Sequence, residues 1–182
     1  ANPEIRSQIT TGAVLDLTFT DAYMYAVDMS ESKLLVFDLG DPQSPSPAGQ
    51  LQLSFNPSRI ELSGSLAVVS HSYGVYLIDI SDPTSPTELN NLTQLSGYAS
   101  VAVYENNILG LETVNGLYGV SIYDVSVPSS PTRIGTFNIH GYVHEMEVHH
   151  GKVYITDDAG ILIVDLSDLA HPQIIASYPI LS

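Results

Sequence analysis

The sequence predicts an all-β chain folded as a β-propeller, and three observations carry the prediction. An apolar run closed by an aspartate and a proline-bearing turn recurs four times. The recurrences are nearly evenly spaced. Each interval divides into four short strand-like runs with turn residues between them.

The recurring segments are LLVFDLGDPQSP from Leu34, VYLIDISDPTSP from Val75, VSIYDVSVPSSP from Val120 and ILIVDLSDLAHP from Ile161. Their aspartates, Asp38, Asp79, Asp124 and Asp165, lie 41, 45 and 41 residues apart. The second unit shows the plan. Arg59–Ser63 alternates, Ser63-Gly64 reads as a tight turn, and Leu66–Val69 is a second strand. Val75–Ile80 is a third, and Glu88–Leu95 a fourth, after the turn at Asp82-Pro83-Thr84-Ser85-Pro86. Runs rich in Leu, Val, Ile and Tyr suit pleated surfaces, and no helical period is long enough to form a helix. We label the strands of a blade A, next to the axis, to D, outermost. Strand C is apolar at successive positions, as a sheet covered on both faces requires. The aspartate after it caps the strand end through backbone N–H groups, and Pro83 fixes the turn. The third unit is four residues longer, and the extra length is expected within Glu112–Gly119.

The expected organisation is four complete four-stranded blades of about 42 residues, near 12–54, 55–96, 97–140 and 141–182. Residues 1–11 read as an orphan outer strand of a preceding blade. Such a chain is expected to be a segment of a longer propeller of roughly six to eight blades. A closed four-bladed disc with a spare edge strand is one alternative. Another is a ring completed by further blades of a parent chain or by a second copy.

Composition narrows the function. The net charge of −15 comes from only 5 Lys and Arg against 20 Asp and Glu. A surface so poor in cations is expected to bind neither nucleic acid nor anionic membranes. No apolar run reaches 18 residues, so no membrane insertion is expected. The absence of cysteine removes disulfides, thiolate metal sites and cysteine nucleophiles. No phosphate loop, Gly-x-Ser-x-Gly or His-Glu-x-x-His occurs.

The repeats resemble the LVIVD-repeat β-propeller family. Ile161-Leu-Ile-Val-Asp165 is nearest its namesake pattern, while Val127 and Leu169 replace turn residues in the third and fourth units. YVTN-type surface repeats are a near alternative, through Val153-Tyr-Ile-Thr156. The resemblance implies an extracellular or cell-surface protein of a bacterium or archaeon, with no general catalytic role.

Candidate site residues fall into three groups. Asp16, Glu61 and Glu147 align on strand A and could face a shared channel holding a calcium-like cation. His140, His144 and Glu145 are a weaker candidate metal set, whose spacing fits no named zinc motif. His71, Tyr73, Tyr98, Tyr118 and Tyr142 lie in loops of one rim, where tyrosines suit recognition. The leading expectation is a non-enzymatic scaffold that binds a protein or glycan and needs no cofactor. The alternative is a metal-dependent enzyme domain with its site in the axial channel or on the rim.

Overall fold

The computed structural model describes residues 12–96, 101–114, 117–139 and 141–179. The orphan strand expected in residues 1–11 lies outside them. So do Tyr98 and His140.

Sixteen strands form four antiparallel sheets, each contiguous in sequence and ordered A-B-C-D. The first sheet contains β1 (Val14–Phe19), β2 (Tyr23–Asp28), β3 (Lys33–Asp38) and β4 (Ser46–Gln52). The second contains β5 (Pro57–Ser63), β6 (Leu66–His71), β7 (Gly74–Asp79) and β8 (Thr87–Leu92). The third contains β9 (Val101–Tyr104), β10 (Asn107–Val114), β11 (Leu117–Asp124) and β12 (Thr132–Asn138). The fourth contains β13 (Val143–His149), β14 (Lys152–Asp157), β15 (Gly160–Asp165) and β16 (Gln173–Pro179). The chain is therefore all-β, with four propeller blades whose ring is not closed. No helix among the described residues is long and apolar enough to cross a membrane.

The core lies between blades. Tyr25, Val27, Leu34 and Val36 of blade 1 meet Ile60, Ala67, Val69, Tyr76 and Ile78 of blade 2. Val68, Val75 and Leu77, on the other face of blade 2, meet Val101, Ile108 and Tyr123 of blade 3. A third cluster joins Leu109, Leu111, Val120 and Ile122 to Met146, Val153, Ile155 and Val164 of blade 4. Side chains alternate across a strand, so a blade between two neighbours needs apolar residues at consecutive positions. β7 is accordingly buried from Gly74 to Ile78. In β15, with no further blade beside it among the described residues, Ile161 is exposed.

The aspartate after strand C does the capping that its position suggests. Asp38, Asp79, Asp124 and Asp165 each accept a hydrogen bond from the backbone N–H two residues on, at 2.6–2.8 Å. These bonds hold the Asp79 and Asp124 carboxyls below the usual carboxylate range. The longer third unit is a longer B–C hairpin, in which pairing continues to Val114 opposite Leu117.

In blades 2 and 4 strand C begins on a glycine for a steric reason. Gly74 and Gly160 have φ of 155° and 148°. A Cβ at Gly74 would sit 2.6 Å from the Leu92 carbonyl oxygen, and one at Gly160 2.1 Å from that of Tyr178. Gly64 also has positive φ but faces open space. Gly74→Ala should therefore destabilise the chain by about 2–4 kcal/mol and Gly64→Ala by only about 1 kcal/mol. Urea unfolding followed by circular dichroism measures the difference.

Candidate functional site in the channel and on the rim

Strand A of each blade places side chains toward the axis, and strand pairing fixes which of them are equivalent. Asp16 pairs with Val27, Arg59 with Ser70, and Glu145 with Thr156. These three occupy one level of the channel. Glu61 pairs with Val68 and Glu147 with Tyr154, and they share the next level with Thr18 and Ala102. The sequence alignment of Asp16 with Glu61 and Glu147 is thus corrected by one level. The cause is the A–B turn of blade 1, where Phe19 pairs with Met24, against Ser63 with Leu66 in blade 2.

Asp16, Glu61 and Glu145 are engaged in holding blades together. Asp16 Oδ2 accepts the Ile60 N–H at 3.0 Å, and Glu61 Oε2 accepts the Val103 N–H at 3.2 Å. Each bond runs from one inner strand to the next. Arg59 donates through one nitrogen to both Glu145 oxygens at 2.8 Å, joining blade 2 to blade 4. Among the described residues, no three His, Asp or Glu side chains are grouped to hold a metal ion.

Glu61 titrates unusually. Burial, with Glu147 and Glu145 nearby, pushes its carboxyl up to about 7, against the opposing pull of the Val103 N–H and Arg59.

The weaker metal set is also divided. Glu145 faces Arg59, whereas His144 Nε2 lies 2.8 Å from Asp158 Oδ1 on the exposed surface.

The rim formed by the D–A and B–C loops holds two aromatic groups. In blade 2, Phe55 stacks on His71 with centroids 5.0 Å apart and planes 2° from parallel. His71 in turn lies 4.2 Å from Tyr76, and Tyr73 tilts against Phe55 at 5.1 Å. The Tyr76 hydroxyl accepts the Phe55 N–H at 2.8 Å. His71 does not reach the surface as a rim residue would, because it is 0% exposed. Its Nδ1 accepts the Tyr73 N–H, so its Nε2–H donates to Asn91 Oδ1 at 3.0 Å. Burial lowers its pKa, opposed by the Asn91 bond. His71 is thus a buried support for Phe55 and Tyr73, which are exposed, Tyr73 by 63%. Beside them is a groove of about 490 Å³ lined by Phe55, Tyr73, Thr93, Gln94, Leu95, Ser96 and Thr113. The second group is Tyr118 edge-on to Tyr142 at 6.2 Å, with His144 beyond at 6.1 Å.

Sequence reasoning did not find the Arg59–Glu145 pair. Its only sequence signal is that Arg59 is one of 5 basic residues in an acidic chain. It also missed the polar series at the end of strand B: Asp28, His71, Glu112 and Asp157 share one register position. Asp28 Oδ2 accepts the Gly12 N–H, and Asp28 Oδ1 accepts N–H groups of Ser30 and Glu31. Asp157 Oδ1 accepts those of Ala159 and Gly160, while its buried Oδ2 has no hydrogen-bond partner among the described residues. Asp28, His71 and Asp157 tie the rim loops to the blades, while Glu112 binds Ser121 and Arg133 on the strands of its own blade.

The geometry defines a β-propeller scaffold, and comparison with known proteins places it more closely. The LVIVD repeat family model matches residues 56–94 and 140–179, the second and fourth blades. Blades 2 and 4 therefore carry LVIVD repeats, as their strand C motifs suggest. No curated protein matches it. Among solved structures, it is similar to a proposed 6-phosphogluconolactonase from Bacteroides uniformis, with 13% identity and a TM-score of 0.75. That match covers 91% of this chain and 54% of the other. A functionally unknown protein from Desulfotomaculum acetoxidans matches at 10% identity and a TM-score of 0.76, over 93% of this chain and 57% of its own. BamB from Moraxella catarrhalis matches at 13% identity and a TM-score of 0.63, over 88% and 49%. The chain thus spans about half the length of these structures, and at such identities the likeness is one of fold.

The Glu61 shift has a definite consequence. Its folded pKa of about 7 lies above the ordinary value near 4.5. The folded state therefore holds the proton more tightly, and the contribution is fully present below pH 4.5 and lost as pH rises through 7. Partial solvation limits it to on the order of 1–2 kcal/mol. Glu61→Gln should raise Tm by a few degrees at pH 8 and change it little at pH 4.5, as read by thermal melts across that range.

Proposed function

We propose that this chain is a non-enzymatic propeller scaffold, secreted or displayed on the surface of a bacterium or archaeon, whose rim binds a glycan or protein partner. The observation that carries the proposal is the Phe55–Tyr73 platform beside its groove. Two exposed aromatic faces are held in place from beneath by buried His71 and Tyr76. Aromatic faces supply apolar contact at little entropic cost, and rigid support preorganises them. Thr93, Gln94, Ser96 and Thr113 add hydroxyl and amide groups to the same groove. Its lining has no charged side chain. That combination of a flat apolar face with neutral hydrogen-bonding groups suits a neutral saccharide better than a charged ligand.

The charge of the molecule supports the same choice. At −15 it repels anionic partners, nucleic acid and acidic membranes included. In the channel, Asp16 and Glu61 bind backbone N–H groups, and Glu145 binds Arg59. That arrangement favours a structural channel over a metal-dependent reaction centre.

Titration with a panel of neutral oligosaccharides, monitored by calorimetry, tests the proposal. At least one should bind, and Tyr73→Ala should weaken it about tenfold or more with Tm almost unchanged, since Tyr73 is mostly exposed. Binding unaffected by Tyr73→Ala, or no binding across the panel, would remove the saccharide reading. Capture of a protein ligand that Tyr73→Ala abolishes would assign the rim to a protein instead.

A further inference from the structure

His71 of blade 2 stands where blades 1 and 4 place an aspartate, and all three hold the loop that follows in the same way. Asp28 Oδ1 accepts the N–H of Ser30, Asp157 Oδ1 that of Ala159, and His71 Nδ1 that of Tyr73, each two residues on. The acceptors differ in one chemical respect. A carboxylate has acceptor oxygens near neutral pH and keeps acceptor capacity even when protonated. A neutral imidazole has a single acceptor nitrogen, and a proton taken from solvent goes to that nitrogen. The imidazolium then sets N–H against N–H, and the bond to Tyr73 gives way to repulsion between two donors.

The surroundings offer the ring no escape. Nε2–H is committed to Asn91 Oδ1 at 3.0 Å, and turning the ring over provides no acceptor once both nitrogens are protonated. The ring is fully buried between Phe55, 2° from parallel at 5.0 Å, and Tyr76 of β7 at 4.2 Å. Its strand partners are Pro57 of β5 and Gly74 of β7, and Asn91 reaches it from β8. None of these groups is charged near neutral pH. Glu88 of β8 acts on this cluster through Tyr76. On His71 itself burial lowers the pKa from 6.5, opposed by the Asn91 bond. The seat of Tyr73 is therefore fully held above pH 6.5 and weakens as pH falls below that value.

We propose that His71 is an acid latch of the rim: on taking up a proton it releases the turn that carries Tyr73, and the aromatic platform comes apart. Tyr73 then leaves Phe55, against which it tilts at 5.1 Å. A ligand held between those two exposed faces at neutral pH is let go in mild acid. That consequence rests on the rim reading, whereas the movement of the loop needs no ligand. Blades 1 and 4, with carboxylates at the same register, lack the latch.

Proton–nitrogen correlation spectra of the labelled chain, recorded from about pH 8 to about pH 4.5, test the latch with no ligand present. The Tyr73 amide should shift in one step together with the His71 ring resonances, with a midpoint below 6.5. Its protection from solvent exchange should fall at least about tenfold across that step. The Ser30 and Ala159 amides should keep their protection, because carboxylates hold them. His71→Asn supplies a neutral acceptor and should abolish the step. Asn91→Asp sets a carboxylate against Nε2–H, should raise the midpoint, and keeps the test open if the first variant does not fold. A Tyr73 amide that stays unmoved, that moves only with Ser30 and Ala159, or that keeps its step in His71→Asn would overturn the latch, as would a midpoint unchanged in Asn91→Asp. A neutral oligosaccharide bound at about pH 7.5 should bind about tenfold more weakly at about pH 5 to the wild type and equally well to His71→Asn. Absence of any saccharide binding removes the rim reading without touching the amide result, and an unmoved Tyr73 amide removes the latch without touching the rim reading.

Discussion

Everything in this chain depends on covering both faces of a four-stranded sheet. A single blade cannot hide two apolar faces, so it has no stable form alone. Stacked radially, each blade supplies the cover for its neighbours, and the core becomes a set of layers between sheets. Leu77 and Ile78 are adjacent in sequence and fully buried in different layers. Burying side chains of that size stabilises by about 2–3 kcal/mol each. The hydrogen bonds from Ile60 to Asp16 and from Val103 to Glu61 add direction to what packing leaves non-directional. They set the height of each inner strand against the next.

Function follows from what this constraint leaves free. The strands are committed to packing, so variation is confined to the rims. On one rim, Phe55 and Tyr73 remain exposed because His71 takes the buried position beneath them. At the same register, blades 1 and 4 place Asp28 and Asp157, which bind loop N–H groups. One structural position thus serves two ends: anchoring a loop through a carboxylate, or supporting an aromatic platform through an imidazole. Among the described residues, the platform supported by an imidazole at this register stands in blade 2.

Much of this was legible in the sequence. The period placed the strands, since Asp38, Asp79, Asp124 and Asp165 each end a strand C as their motif implies. Apolar residues at consecutive positions marked strand C as covered on both sides, and the extra length of the third unit lies in its B–C hairpin. The channel was less legible because it depends on register. A longer turn before Tyr23 moves Asp16 one level from Glu61, and no periodic alignment can detect a turn that differs in one unit. The Arg59–Glu145 pair joins positions 86 residues apart in different blades, beyond the reach of any nearest-neighbour pattern. The burial of His71 was equally hidden, since a loop histidine among polar residues has no apolar pattern to reveal it.

The central claim is that cover by a neighbouring blade, more than strand propensity, decides how firmly each strand is held. Hydrogen exchange tests this most directly by comparing β7 with β15. Both strands have the same length and similar composition, but among the described residues β7 has a neighbouring blade on each side and β15 on one. The account predicts that β7 amides exchange only on global unfolding and β15 amides at least about tenfold faster, through local opening. Equal protection of the two strands would contradict it.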